Sequence, residues 1–95
     1  MVIDYDKYRV DVEEQTAVFT HNEFRLLSLL GKYAGKVLTY DYMMKEIWGP
    51  NMKGDNRILR VNMANIRRKI EKNPGQPQFI FTEVGVGYRI IETDS

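Results

Sequence analysis

Cysteine is missing from this chain altogether. Its absence excludes disulfide scaffolds, thiolate zinc sites and cysteine nucleophiles in one step, and it fits a reducing, cytoplasmic compartment. Long apolar runs are missing too. None approaches the roughly 20 residues that span a bilayer, so no membrane partner is expected. The start, Met1-Val2-Ile3, runs straight into acidic residues and shows no signal-peptide pattern. Histidine occurs once, at His21. It falls in the first turn of an expected helix without companions, so a solvent-facing residue is expected and a metal site is not. Asp41 and Glu46 share a helix with no nucleophile or cleft beside them. The "GVG" fragment lies inside a hairpin and not between a strand and a helix, where a phosphate loop would need it. No catalytic residue, metal or cofactor is expected.

What remains is an ordinary globular composition. Ninety-five residues with 43% hydrophobic side chains suffice for one domain with one modest core. The net charge of +1 is uninformative, but its distribution is not. Residues 1–20 hold five acids against Lys7 and Arg9. Residues 53–72 hold seven bases against Asp55 and Glu71. A local concentration of bases is the electrostatic footprint of a phosphate-binding surface, and equally that of a solvated helix face.

The order of elements can be read from periodicity and punctuation. "VIDYDKYRVDVEEQTAVF" alternates in part and reads as two or three short strands. Thr20 and Glu23, three apart before an apolar run, form a capping-box signature. A first helix follows from about His21 to Tyr33, with Phe24, Leu26, Leu27 and Leu30 as its buried stripe. Gly35 suits a left-handed cap. Thr39 caps a second helix from about Tyr40 to Trp48, with Met44, Ile47 and Trp48 on one face. "GPNMKGD" breaks helical order. Asp55 or Asn56 can cap a third helix running to about Asn73, where Pro74 disfavours continuation. "FIFT" and "YRII" then read as a hairpin with Gly85 and Gly87 in the connection. Met43, Met44 and Met63 read as core filler, Met52 as loop, and Trp48 as closing the helix packing.

The third helix carries the sharpest signal. With Leu59 at zero and 100° per residue, Leu59, Met63, Ile66 and Ile70 fall within about 60° of one another. Opposite them lie Arg57, Val61, Ala64 and Arg68, flanked by Arg60 and Asn65. A solubilising face would carry Glu and Lys throughout. This one mixes long cations with short apolar residues at its centre. Arginines reach phosphates or guanine edges, asparagine can pair with adenine, and Val or Ala can approach a thymine methyl. Helices followed by a hairpin make an α+β winged helix-turn-helix, with a small N-terminal antiparallel sheet, three helices and a C-terminal wing. In the wing, Thr82, Tyr88 and Arg89 carry donors suited to phosphate oxygens.

The motifs "FTHNEFRLLSLL", "AGKVLTYDYMMKEIWG", "RILRVNMANIRRKIE" and "FIFTEVGVGYRI", in this order, resemble the OmpR/PhoB-type winged-helix effector domains of bacterial two-component response regulators. The likeness covers about three quarters of the chain. "WGP", "NPGQPQFIFTE" and "GVGYR" bring it nearest to the family's regulators of potassium transport. The resemblance implies sequence-specific binding of double-stranded promoter DNA, commonly at tandem half-sites, and control of transcription. It implies that the third helix is the recognition helix, with Arg57, Arg60, Val61, Ala64, Asn65, Arg67 and Arg68 at or near DNA, and that Thr82 and Tyr88 of the wing meet the backbone. It implies that Gly49, Pro50, Asn51, Met52 and Lys53 form the loop that in some members contacts RNA polymerase. A sensor histidine kinase would act only through a receiver domain. None is expected within residues 1–95, which read as a single effector domain.

Two departures stand out. Many members carry an arginine before the first wing glycine, where this chain has Val84 preceded by Glu83, so a wing cation in the minor groove is not expected. The stretch between Asp11 and Thr20 is short for the family's usual four N-terminal strands, so either the sheet is reduced or a loop is missing. A rival reading keeps the winged helix but uses it only to bind protein. It predicts salt-tolerant binding to a protein and none to DNA, whereas phosphate contacts make DNA affinity steeply salt-dependent.

Overall fold

A computed structural model describes the backbone of residues 2–4, 9–12 and 15–16 and all of residues 17–51 and 56–91. Three N-terminal strands, β1 (Val2–Asp4), β2 (Arg9–Val12) and β3 (Gln15–Val18), form an antiparallel sheet in the order β1-β2-β3. Among the described residues this sheet is thus reduced to three strands. Helices α1 (His21–Lys32), α2 (Tyr40–Trp48) and α3 (Arg57–Ile70) follow, with the two-residue β4 (Leu38–Thr39) between the first two. β5 (Ile80–Glu83) and β6 (Gly87–Ile90) close the chain as a hairpin, and β4 joins it in the order β4-β6-β5.

Local chemistry explains the starts of the helices. The Thr20 hydroxyl accepts from the Glu23 N–H at 3.2 Å, and the Glu23 carboxylate accepts from the Thr20 N–H at 3.1 Å, which completes the expected capping box. Thr39 caps α2 by accepting from Tyr42 N–H. α3 starts differently: Asn56 makes no side-chain cap bond, and Asp55 lies outside the described residues. α1 stops one residue before Tyr33, which serves as its C-cap, and Gly35 takes the left-handed conformation at φ 87°.

α3 ends at Ile70, short of the expected Asn73, and the cause is a side chain. Glu71 turns into extended backbone. Its buried carboxylate accepts from the N–H groups of Gln78, Phe79 and Ile80, at 2.8 Å for both Gln78 and Ile80. A buried carboxylate needs such charge-assisted partners. The pairing fixes where β5 begins relative to α3, a constraint that overrides the local tendency to continue the helix to Pro74.

The core lies between the three helices and the hairpin sheet. Phe24, Leu26, Leu27 and Leu30 of α1, Met43, Met44 and Ile47 of α2, and Leu59, Met63, Ile66 and Ile70 of α3 are buried with Ile80, Tyr88 and Ile90. Long-range polar contacts lock the helices to one another. The Arg25 guanidinium donates to the carbonyls of Ile47 (3.1 Å) and Glu46 (3.2 Å), satisfying acceptors at the end of α2. Lys69 of α3 reaches the buried Glu23 of α1 at 2.6 Å and lies over the Phe19 ring. Burial pushes the Glu23 carboxyl up. The Lys69 hydrogen bond, the Thr20 backbone N–H, the Lys69 charge and the Thr20 hydroxyl outweigh that and hold it below its ordinary value.

Trp48 packs half-buried against this core, as expected. Trp48→Ala should cost about 2 kcal/mol, less than a fully buried truncation, and lower Tm by about 10 °C. Thermal denaturation checks this, and a variant that melts like the parent would remove the indole from the packing.

Candidate nucleic-acid interface

α3 points its apolar stripe inward and its cations outward. Arg57, Arg60, Ala64 and Arg68 are exposed, Val61 is 60% exposed at the centre of the face, and Asn65 is half-buried beside them. The Arg68 guanidinium donates to the Asn65 carboxamide oxygen one turn earlier, so the two side chains are held as a pair. This outward face is a convex rod with low apolar ground between guanidinium groups. The major groove, about 12 Å wide and lined by phosphates, admits such a rod.

The bases gathered in residues 57–70 do not all share one role. Arg57, Arg60 and Arg68 stand on the outward face. Lys69 is engaged by Glu23. Arg67 turns sideways to the hairpin: its Nη2 donates to the Thr82 hydroxyl, and its guanidinium lies 5.5 Å from the centre of the Tyr88 ring.

The hairpin stands beside α3 as a wing. Its tip is Val84-Gly85-Val86, with Gly85 left-handed at φ 77° and Val84 89% exposed, the place where the family pattern has its cation. Gly87 is required for another reason. A Cβ there would lie 1.7 Å from the Leu38 carbonyl oxygen, because β4 and β6 pair closely at this point. Of the wing residues singled out above, Thr82 is exposed, whereas Tyr88 is 4% exposed and belongs to the core. The Tyr88 ring meets Tyr40 edge-on at 5.5 Å. Burial pushes the Tyr88 hydroxyl above its ordinary value, against the pull of the Arg67 charge. The alternation of "GYRI" carries the signal for that burial, since Tyr88 and Ile90 share one face and Arg89 takes the other. Arg89 lies over the Phe81 ring at 4.8 Å, with its Nε 3.5 Å from the Glu83 carboxylate, so its charge is partly neutralised within the wing.

Gly49 caps α2 and leads to the exposed Pro50 and Asn51. Met52 and Lys53, the rest of that candidate partner loop, lie outside the described residues. Among the described residues, no group of His, Asp and Glu could hold a metal ion and no helix is long and apolar enough to cross a membrane.

The family described as "Transcriptional regulatory protein, C terminal" matches residues 14–90. The KDP operon transcriptional regulatory protein KdpE of Escherichia coli K12 is 41% identical over 78 residues, which is 82% of this chain and 35% of that protein. The chain thus spans about a third of the length of the curated relative it matches. Among solved structures, the response regulator DrrB, a Thermotoga maritima OmpR/PhoB homologue, superposes with a TM-score of 0.83 at 29% identity, covering 95% of this chain and 41% of that one. The Klebsiella pneumoniae RstA DNA-binding domain, solved in complex with the RstA box, superposes with a TM-score of 0.83 at 25% identity, covering 94% of this chain and 88% of that one. The match runs through α3 and the hairpin, and it shows that the chain belongs to the family of C-terminal domains of transcriptional regulatory proteins, in its OmpR/PhoB-type winged-helix form.

Proposed function

We propose that residues 1–95 are the DNA-reading effector domain of a two-component response regulator, with α3 in the major groove of promoter DNA and the wing along the neighbouring backbone. The observation that carries this is the outward face of α3. Arg57, Arg60 and Arg68 surround Val61 and Ala64, while the opposite stripe is fully used by the core. Arg57, Arg60 and Arg68 supply phosphate or guanine contacts, Asn65 has an amide to donate, and Val61 and Ala64 allow close approach to base edges. Thr82 offers a hydroxyl to the backbone from the wing. That the RstA DNA-binding domain, similar in fold, is solved in complex with its DNA box supports DNA as the partner.

The assignment extends to tandem half-sites, to control of potassium-transport genes, and to RNA polymerase as the partner of the loop that starts at Gly49. Such a regulator works in the cytoplasm and receives its signal from a sensor histidine kinase through a receiver domain. Selection of bound duplexes from a random pool at two salt concentrations tests the reading. It expects one enriched sequence and an affinity that falls steeply with salt as counterions are released. Salt-independent behaviour with no enriched duplex would favour a protein-docking module instead.

Arg57→Ala and Arg60→Ala should each weaken binding to the selected operator by about 1–3 kcal/mol if the arginine reads a base. A gel-shift midpoint unchanged at matched salt would remove that arginine from the contact set.

A further inference from the structure

His21, Arg25, Ser28 and Lys32 fall on one stripe of α1, each three or four residues from the next. The stripe runs for about 16 Å along the helix axis. It lines one side of a groove of about 670 Å³ whose other wall is the end of α2, at Glu46 and Ile47. The floor is apolar, built from the buried Phe24 and Ile47 and the half-buried Leu29. The Ser28 hydroxyl is buried there without a hydrogen-bond partner among the described residues. Among the described residues, none of α3 or the wing lines this groove.

The charge of the groove leans one way and is partly fixed in place. The Arg25 guanidinium is tied to the carbonyls of Ile47 and Glu46. Neutral acceptors hold it against the α2 wall without cancelling its charge, and its other N–H groups can still meet a carboxylate. Lys32 lies 5.5 Å from the centre of the Tyr33 ring and pairs with no carboxylate among the described residues. Glu46 is the one acid among the described lining residues. We propose that this groove docks an acidic peptide segment of a partner protein. An apolar side chain would sit on Phe24, Leu29 and Ile47, with one carboxylate at Arg25 and another at Lys32. About five residues of extended chain would fill the length. Complementary charge at both ends sets the register, and burial of the apolar anchor between them supplies the affinity. A phosphate backbone would leave the apolar floor uncovered. The proposal is independent of DNA reading by α3, since the two surfaces share no residue.

The test is selection from a random peptide library, displayed on phage, against the 95-residue chain at low and at raised salt. Enriched peptides should carry acids on both sides of a large apolar residue, and capture should weaken as salt screens the charges. A labelled copy of an enriched peptide should shift the amide resonances of α1 and of Glu46 and Ile47, and leave those of α3 in place. Lys32→Glu, at an exposed position, should weaken this peptide about tenfold by setting like charges against each other. Lys36→Glu, also exposed but outside the groove, should change its affinity by less than about twofold. Both variants should melt like the parent. No enrichment, enrichment of basic or purely apolar peptides, or shifts centred on α3 would overturn the proposal. Equal weakening by the two variants would reduce it to unspecific charge attraction and overturn it too. Self-association of the chain that Lys32→Glu abolishes, read by analytical ultracentrifugation, would assign the groove to a second copy in place of a partner protein.

Discussion

Ala64→Glu should abolish operator binding while leaving the domain folded. Ala64 is exposed in the middle of the outward face of α3, between Val61 and Arg68. A glutamate there adds bulk where the face must come closest to the groove floor. It also adds a negative charge where phosphates and base acceptors already dominate the potential. The two effects act together, and a loss of at least a hundredfold, about 3 kcal/mol, is expected. The fold should hardly notice. Glutamate is a good helix former and the site is solvent-facing, so the change in stability should stay within about 0.5 kcal/mol. Gel shift for binding and circular dichroism with a melting curve for fold make the check. Parental affinity in a well-folded variant would remove the centre of α3 from the groove.

Glu71→Ala should have the largest effect on stability. The carboxylate is buried and is the shared acceptor for the N–H groups of Gln78, Phe79 and Ile80. Alanine leaves these donors without it, and Ile80 is fully buried. An unsatisfied buried donor costs about 1–3 kcal/mol, so a total of about 4 kcal/mol is expected. For a domain of this size that is a Tm lower by about 20 °C. Lys72→Ala, one residue on and exposed, is the matched control and should melt like the parent. Hydrogen exchange should speed up first at the amides of 78–80, where the acceptor was removed. A Glu71→Ala protein melting within a few degrees of the parent would mean that these N–H groups have another acceptor.

These two predictions differ in how far the sequence alone could have led to them. The position of Ala64 follows from the helical period once Leu59, Met63, Ile66 and Ile70 are taken as the inner stripe. All four are buried. The role of Glu71 does not follow from anything nearby. Its partners are seven to nine residues on, across a loop whose path no local pattern specifies. The expectation that α3 runs to Asn73 failed for that reason. The same division recurs elsewhere. Thr20 and Glu23 announce their cap because both partners sit within one turn, but the Lys69 that also binds Glu23 is 46 residues away.

The candidate site divides along the same line. Which residues of α3 face outward is a matter of angle on a cylinder, and the sequence by itself determined it, along with the three helices, the capping of the first two and the hairpin. Only the tertiary structure decided which cations stay on the outward face of α3. Lys69 is drawn to a carboxylate on α1, Arg67 to the wing, and Tyr88 into the core against Tyr40. The physical reason is range. Helical and strand periodicity and caps are set by neighbours within one turn or one register pair, and those travel with the sequence. Charge pairing and ring packing between elements depend on where the hydrophobic core brings distant segments together, and that is decided only when the whole chain closes.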